Sequence, residues 1–265
     1  MLLVANWKMN MTRAQIDDYV DVLSASAIWP TLEEAGIEIA LAPSSVYLDH
    51  LVRVIRQKEL PVRVIAQDVS TRTSGAFTGE VGVPNLLDIG VSGVILGHSE
   101  RRRFFGETDE DVCDKTDLCL RAGLMPIICF GESSSDRKSG QAFEVIKTQL
   151  QPVADRAGVL REDGVYTALF LAYEPIWAIG SGVVAGASDV CEVTAYGFDG
   201  FTWPERPKFL YGGSITADNI VEISACDKLS GFLVGSSWLD PKSLLRSAQK
   251  IASVIMEGSL SRREH

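Results

Sequence analysis

Gly93-Val94-Ile95-Leu96-Gly97-His98-Ser99-Glu100-Arg101-Arg102 holds the pattern that decides the fold. Gly93–Leu96 reads as a short strand with no in/out alternation, which is how a strand covered on both faces should look. Gly97 and His98 turn the chain, and a charged stretch follows as a helix entry. The same unit recurs. Leu2–Asn6, Ile37–Ala42, Val62–Ala66, Pro126–Phe130, Leu169–Tyr173, Phe209–Tyr211 and Gly231–Val234 are further candidate strands. Between them lie helical stretches at roughly 13–28, 46–57, 107–122, 138–156, 187–196, 217–225 and 241–256, the last opened by Asp240-Pro241 as cap and first-turn proline.

Strands alternating with helices permit a closed parallel barrel or an open doubly wound sheet. No GxGxxG follows the first strand, which favours the barrel. The expected architecture is α/β: one (β/α)8 barrel domain over residues 1–265, with eight parallel strands at its core. Its polar residues fall at the strand exits: Asn6 and Lys8, Gln67-Asp68, His98-Ser99-Glu100, Gly131-Glu132, Glu174, Gly212-Gly213-Ser214 and Gly235-Ser236-Ser237. In a parallel barrel these converge on the C-terminal face, where such folds carry their chemistry. That convergence argues for an enzyme.

Bulk properties narrow the partners. A net charge of −10 speaks against nucleic acid or an anionic membrane, both of which need a basic face. The start MLLVANWKMN is too short and polar for a signal peptide, and no apolar run is long enough to span a bilayer. The five cysteines, Cys113, Cys119, Cys129, Cys191 and Cys226, form no CxxC pair and no metal-ligand spacing. Their odd number suits buried thiols in a reducing compartment, so the expectation is a cytoplasmic protein with no metal. The tail Glu257–His265 reads as polar and frayed.

Individual motifs carry chemistry alongside plainer readings. Lys8, in an apolar strand exit, is costly unless its ammonium meets an anion, although a solvated surface lysine would look the same. His98, one of three histidines, can donate to a substrate oxygen and relay protons from a strand-to-helix turn, or it can simply cap the helix. Glu174 sits among Tyr173, Pro175, Ile176 and Trp177, where desolvation would make a better base, unless an arginine pairs with it. Pro175-Ile176-Trp177 and Ser181-Gly182-Val183 flank a short tip, Ala178, Ile179 and Gly180, as a hinged lid would. Gly212-Gly213-Ser214 and Gly235-Ser236-Ser237 offer backbone N–H groups to a phosphate, or are tight turns.

Taken together, NWKMN, GAFTGE, GHSERR, CxGE, AYEPIWAIGSG, YGGS and GFLVG stand in the order and spacing of the triosephosphate isomerase family, from residue 3 to about residue 256. The resemblance implies a TIM barrel that interconverts dihydroxyacetone phosphate and glyceraldehyde 3-phosphate in glycolysis and gluconeogenesis, with no cofactor. It implies that Asn6 and Lys8 hold the substrate, that Glu100 orients Lys8, that His98 polarises the carbonyl and that Glu174 abstracts the proton. A neutral histidine paired with a glutamate base is the general pattern for this enzyme. Gly180, Ser214, Gly235 and Ser236 are implied to bind phosphate, Ile179 and Leu233 to pack on Glu174, and Ser99 to hold Glu174 while the lid is open. Phe77 and Thr78 match the loop tip that enters a neighbouring subunit, which implies a homodimer. Cys129 matches a buried structural cysteine.

Several positions depart from the family pattern. Ser236, Ser237 and Trp238 follow Gly235 where paired glycines are usual, and Trp238 is expected to reshape the wall beside the phosphate. Val183 replaces the lysine of the second hinge. Ser230 replaces an aspartate whose arginine partner is also missing, since no Arg or Lys lies between Gly182 and Arg206. The sixth helix looks short and ends in an aromatic stretch, Tyr196–Trp203. Two alternatives stay open: a paralogue for a four-carbon ketose phosphate of the erythrulose phosphate type, and a non-catalytic barrel serving as a scaffold.

Overall fold

In the first strand, β1 (Leu2–Asn6), every residue is buried because both faces have work to do: Leu2 and Val4 enter one apolar cluster, Leu3 and Ala5 another. The computed structural model, which describes residues 1–178 and 185–261, repeats this arrangement around a ring. The other strands are β2 (Glu38–Ala42), β3 (Val62–Ala66), β4 (Gly93–Leu96), β5 (Met125–Phe130), β6 (Phe170–Tyr173), β7 (Lys208–Tyr211) and β8 (Leu229–Val234). Neighbours pair in parallel and β8 closes on β1, with Leu3 opposite Phe232 and Val4 opposite Leu233. Eight parallel strands in a closed barrel are the architecture the sequence led us to expect. Leu2, Val4, Ile65, Ile95, Ile127, Cys129, Leu210 and Leu233 fill the interior. Two apolar faces per strand explain why none of the strands alternates in sequence.

The outer layer is helical. After β1 come α1 (Arg13–Ser24) and α2 (Trp29–Glu34), after β2 α3 (Leu48–Gln57), and after β3 α4 (Val83–Asp88). β4 leads into α5 (Ser99–Phe105) and α6 (Asp109–Arg121), and β5 into α7 (Ser134–Lys138) and α8 (Ala142–Glu162). α9 (Ala187–Asp199), α10 (Ile220–Ser224) and α11 (Pro241–Ser261) follow β6, β7 and β8. No helix among the described residues is long and apolar enough to cross a membrane.

Some expectations need correction. The helix expected at 138–156 begins at Ala142, after the separate short α7, and runs through Pro152 to Glu162 because a buried stripe from Ile146 to Leu160 outweighs the bond that the proline removes. The tail does not fray at Glu257: α11 continues to Ser261, and residues 262–265 lie outside the described residues. The sixth helix is not short, since α9 reaches Asp199. Its aromatic end is structural. Phe198 packs edge-on against Phe209 at 4.6 Å, and Trp203 Nε1 donates to Gly197 O at 2.8 Å. Gly197 must be a glycine, because a Cβ there would lie 2.3 Å from the Phe209 ring. The cysteines also differ from expectation. Cys191 of α9 and Cys226 beyond α10 form a disulfide with Cα atoms 5.5 Å apart, while Cys113, Cys119 and Cys129 are free and buried. Thirty-five residues separate the pair in sequence, so spacing alone gave no sign that two helices would bring them together.

Candidate active site

The strand exits do converge. At the end of β1 the chain leaves the ring with Lys8 in the left-handed region, φ 52°. A side chain there costs on the order of 1–3 kcal/mol, so its surroundings must hold it. They do so from both sides of the residue: Lys8 N donates to Asn6 Oδ1 at 3.0 Å, and Lys8 O accepts from Gln67 Nε2 at 2.9 Å and Ser44 Oγ at 3.1 Å. The ammonium then lies 2.5 Å from Glu100 Oε1. Asn6 is buried, and Gly235 passes so close that a Cβ on it would sit 3.3 Å from Lys8 Cε.

The β4 exit sets the second group. Gly97, at φ +67°, turns the chain where a Cβ would strike Val112 and Arg102. His98 becomes the N-cap of α5, its Nδ1 accepting from Glu100 N at 3.2 Å. An Nδ1 that accepts a backbone N–H cannot carry a proton, which leaves the neutral ring protonated at Nε2. That Nε2 is 3.1 Å from Glu174 Oε1. Glu174, 3% exposed at the exit of β6, also accepts from Ser99 N at 3.0 Å through its other oxygen. Cys129 faces the same carboxylate from inside the barrel, and burial together with the glutamate's charge pushes its thiol pKa well above the ordinary value. Cys129 is therefore a neutral packing and hydrogen-bonding group.

Beside Lys8 and Ser99 lies a cavity of about 820 Å³, lined also by Asn6, Ile176, Ser214, Gly235 and Ser236. The backbone turns at β7 and β8 face it. Gly213 is forced there, since a Cβ would lie 2.2 Å from the Tyr211 hydroxyl oxygen. Ser214 Oγ donates to Ala178 O at 2.8 Å, linking the β7 turn to the stretch Pro175–Ala178. Ile179, Gly180, Ser181, Gly182 and Val183 lie outside the described residues. Trp238 is a correction. It is fully buried, with Nε1 3.2 Å from Ser247 Oγ and its carbonyl accepting from Tyr19 at 2.9 Å, so it points away from the cavity into the α1–α11 layer.

Sequence reasoning missed three supporting groups. Gln67 stood out only as a polar strand exit, yet its amide also donates to Ala42 O at 2.8 Å and so ties three strand ends together. Gln149 on α8 clamps both the N–H and the C=O of Gly131. Glu132, fully buried, accepts from Tyr173, Trp177 and Arg137 through one oxygen. Glu132 stood out in the sequence as a polar strand exit and as the last residue of CxGE, but nothing there showed which partners it would gather.

Phe77 and Thr78 are exposed on the β3–α4 connection. A second cavity of about 520 Å³ opens beside Lys8 and His98, lined also by Ser45, Gln67, Glu80 and Phe105.

Comparison with known sequences agrees with this arrangement. The sequence model of the family described as triosephosphate isomerase matches residues 1–251. A protein named triosephosphate isomerase from Neurospora crassa is 37% identical over 246 residues, covering 89% of this chain and 93% of the relative. Its namesake from Thermoanaerobacter sp. is 38% identical over 244 residues, 90% and 94% of the two chains. The one from Polynucleobacter asymbioticus is 37% identical over 255 residues, 94% and 98% of the two.

Proposed function

The chain belongs to the triosephosphate isomerase family and interconverts dihydroxyacetone phosphate and glyceraldehyde 3-phosphate, and we propose that Glu174, His98 and Lys8 carry the reaction. The observation that carries the assignment is the meeting of a buried carboxylate with a neutral imidazole at 3.1 Å, beside an ammonium at the mouth of one cavity. Glu174 takes a proton from the carbon next to the carbonyl. His98 Nε2–H donates to the carbonyl oxygen as charge develops, and the Lys8 ammonium stabilises the enediolate. His98 then relays the neighbouring hydroxyl's proton to the former carbonyl oxygen, and Glu174 returns its proton to the former carbonyl carbon, which completes the isomerisation. In the resting arrangement Glu174 is held by Ser99 N, so it must release that amide to reach substrate.

Asn6 positions Lys8 through its backbone, and Glu100 orients the ammonium. The N–H groups of Gly180, Ser214, Gly235 and Ser236 bind the phosphate, and residues Pro175, Ile176, Trp177, Ala178, Ile179, Gly180, Ser181 and Gly182 form the lid over it. The chain acts as a single barrel domain and as a homodimer, with Phe77 and Thr78 of one subunit entering the groove beside Lys8 and His98 of the other. The size of that groove and the exposed Met9, Val46 and Phe105 around it support the dimer. A cytoplasmic location is supported by the three free buried thiols, whereas the Cys191–Cys226 bond pulls the other way.

The test is a coupled assay of the wild type on three- and four-carbon ketose phosphates in one buffer. Pockets discriminate one small group by about 10–200-fold. A preference for three carbons of about a hundredfold is expected, and a preference for the tetrulose phosphate would overturn the substrate assignment.

A further inference from the structure

Three arginines follow one another on α5, and their surroundings differ. Arg101 is held by Asp68 at 2.7 Å and Glu107 at 3.0 Å. Arg102 donates to Gly97 O at 2.8 Å and pairs with Asp109. Arg103, just beyond the GHSERR motif, is exposed and meets no carboxylate among the described residues. Its guanidinium lies over the Phe104 ring, 4.9 Å from the centroid. Ser99 and Arg103 are four residues apart on one helix, so Arg103 shares the face whose first amide holds Glu174. Both line the cavity of about 820 Å³.

The charges around that cavity give the position its meaning. Lys8, Glu100, Arg102 and Arg103 are the charged residues that line it. Lys8 is matched by Glu100 and Arg102 by Asp109. Glu174, held by Ser99, adds a negative charge when it is ready to act as a base, and the chain as a whole carries −10. Residues 179–184 contain no charged side chain, and Val183 stands where the resemblance expected a lysine. Among the described residues, Arg103 is therefore the lining cation whose charge is not already matched. Without it, a phosphorylated dianion nearing the mouth would meet a field that repels it. The aromatic ring beside the guanidinium keeps the cation at the mouth without neutralising it.

We propose that Arg103 is an electrostatic steering residue: its unmatched charge draws the phosphorylated substrate towards the cavity and so raises the rate of encounter. It touches no reacting atom and acts only through its field. The inference rests on the reading above that this cavity receives the phosphate. Triosephosphate isomerase is a standard example of an enzyme whose kcat/KM reaches the diffusional ceiling, so encounter shows directly in that ratio. A whole cleft arranged for steering raises association by about 10–10³-fold, and one residue accounts for the low end of that range. A field that acts beyond contact fades as salt shortens the Debye length from about 30 Å at 0.01 M to about 3 Å at 1 M.

The experiment compares wild type with Arg103→Gln, Arg103→Glu and Arg103→Lys. Lys147→Gln serves as the control, since it removes the same charge from an exposed position on α8 outside the cavity lining. For each protein, kcat, KM and the association rate constant of 2-phosphoglycolate are measured at ionic strengths from about 0.01 to 1 M. This compound is a phosphorylated carboxylate mimic of the enediolate, and its association is followed by stopped-flow tryptophan fluorescence. At the lowest salt, Arg103→Gln should lower kcat/KM and the association rate together by about three- to tenfold, with kcat within about twofold. Arg103→Glu should lower both further, and Arg103→Lys should stay within about twofold of wild type, because only the charge matters. Lys147→Gln should match wild type, and all five proteins should converge at the highest salt. A deficit in Arg103→Gln that persists at the highest salt, an equal deficit in Lys147→Gln, or no deficit at all would overturn the proposal. Should Glu174→Gln keep normal turnover, the catalytic reading falls, while the salt-dependent association of the mimic still decides this inference.

Discussion

Glu174 shows how much one residue's surroundings decide. Its carboxylate is enclosed, yet each oxygen has a donor: Ser99 N at 3.0 Å on one, His98 Nε2 at 3.1 Å on the other. Both donors come from the turn after β4, so the glutamate on β6 is held by an element two strands away round the ring. A base stored this way is ordered but must exchange partners to act. Replacing Glu174 with glutamine keeps the shape and removes the proton acceptor. Initial rates should fall by at least about 10²–10⁴, while binding of 2-phosphoglycolate survives better than turnover. Near-normal rates would remove Glu174 from its role. His98 and Glu174 were legible in sequence because each is a polar residue just past an apolar strand. The resemblance also pointed to Ser99 as the residue that holds Glu174, and its backbone amide does so; the role of Gln67 was not legible, because its work lies in two carbonyl partners, Lys8 O and Ala42 O.

At the scale of elements, the strands were read nearly to the residue, and Leu2–Asn6 and Val62–Ala66 agree at both ends. Doubly buried strands announce themselves as short apolar runs between polar exits. The short helices were missed for the opposite reason. Val83–Asp88 is too brief to show a period, and Ser99–Phe105, expected only as a helix entry, presents no buried residue from which its extent could be read. The Cys191–Cys226 bond belongs to this scale, since it fastens α9 to the chain just beyond α10 and so joins the segments that follow β6 and β7. Closing a stretch of 35 residues restricts the unfolded chain by an amount worth about 4 kcal/mol on chain-entropy grounds. Adding a dithiol reductant should therefore lower the melting temperature of wild type by several degrees and leave Cys191→Ser unaffected. Identical melting with and without reductant, or five titratable thiols in the unreduced, denatured protein, would show that the bond does not form.

The whole molecule poses a problem of surface. It carries a charge of −10 and must still attract an anion, so positive potential has to be local, at Lys8 and the backbone turns that line the cavity. A second feature sits beside that cavity: Phe105 is 71% exposed, Met9 94% and Val46 75%, all around a groove that reaches Lys8 and His98. Apolar side chains gathered at one mouth mark an interaction surface rather than ordinary scatter. Beneath it the floor is rigid. Lys115 and Arg101 each lie 2.7 Å from Asp68, Arg101 also binds Glu107 at 3.0 Å, and burial raises the Asp68 carboxyl against the opposing pull of Lys115. Such a braced, largely buried ion network is expensive to build for a face that stays wet. In the dimer proposed above, the exposed Phe77 and Thr78 are the occupants of this groove, and a contact in which each copy gives a loop and receives one closes with two-fold symmetry. Replacing Phe77 and Thr78 with charged residues puts unmatched charge into the proposed contact, so it should yield monomers by sedimentation with activity reduced at least about tenfold, because groups lining that groove include Lys8 and His98. Raising the concentration of wild type through its dissociation range should restore activity in step with the dimer fraction. Fully active monomers at concentrations below dissociation would separate the groove from the reaction and leave its exposed apolar rim to some other partner.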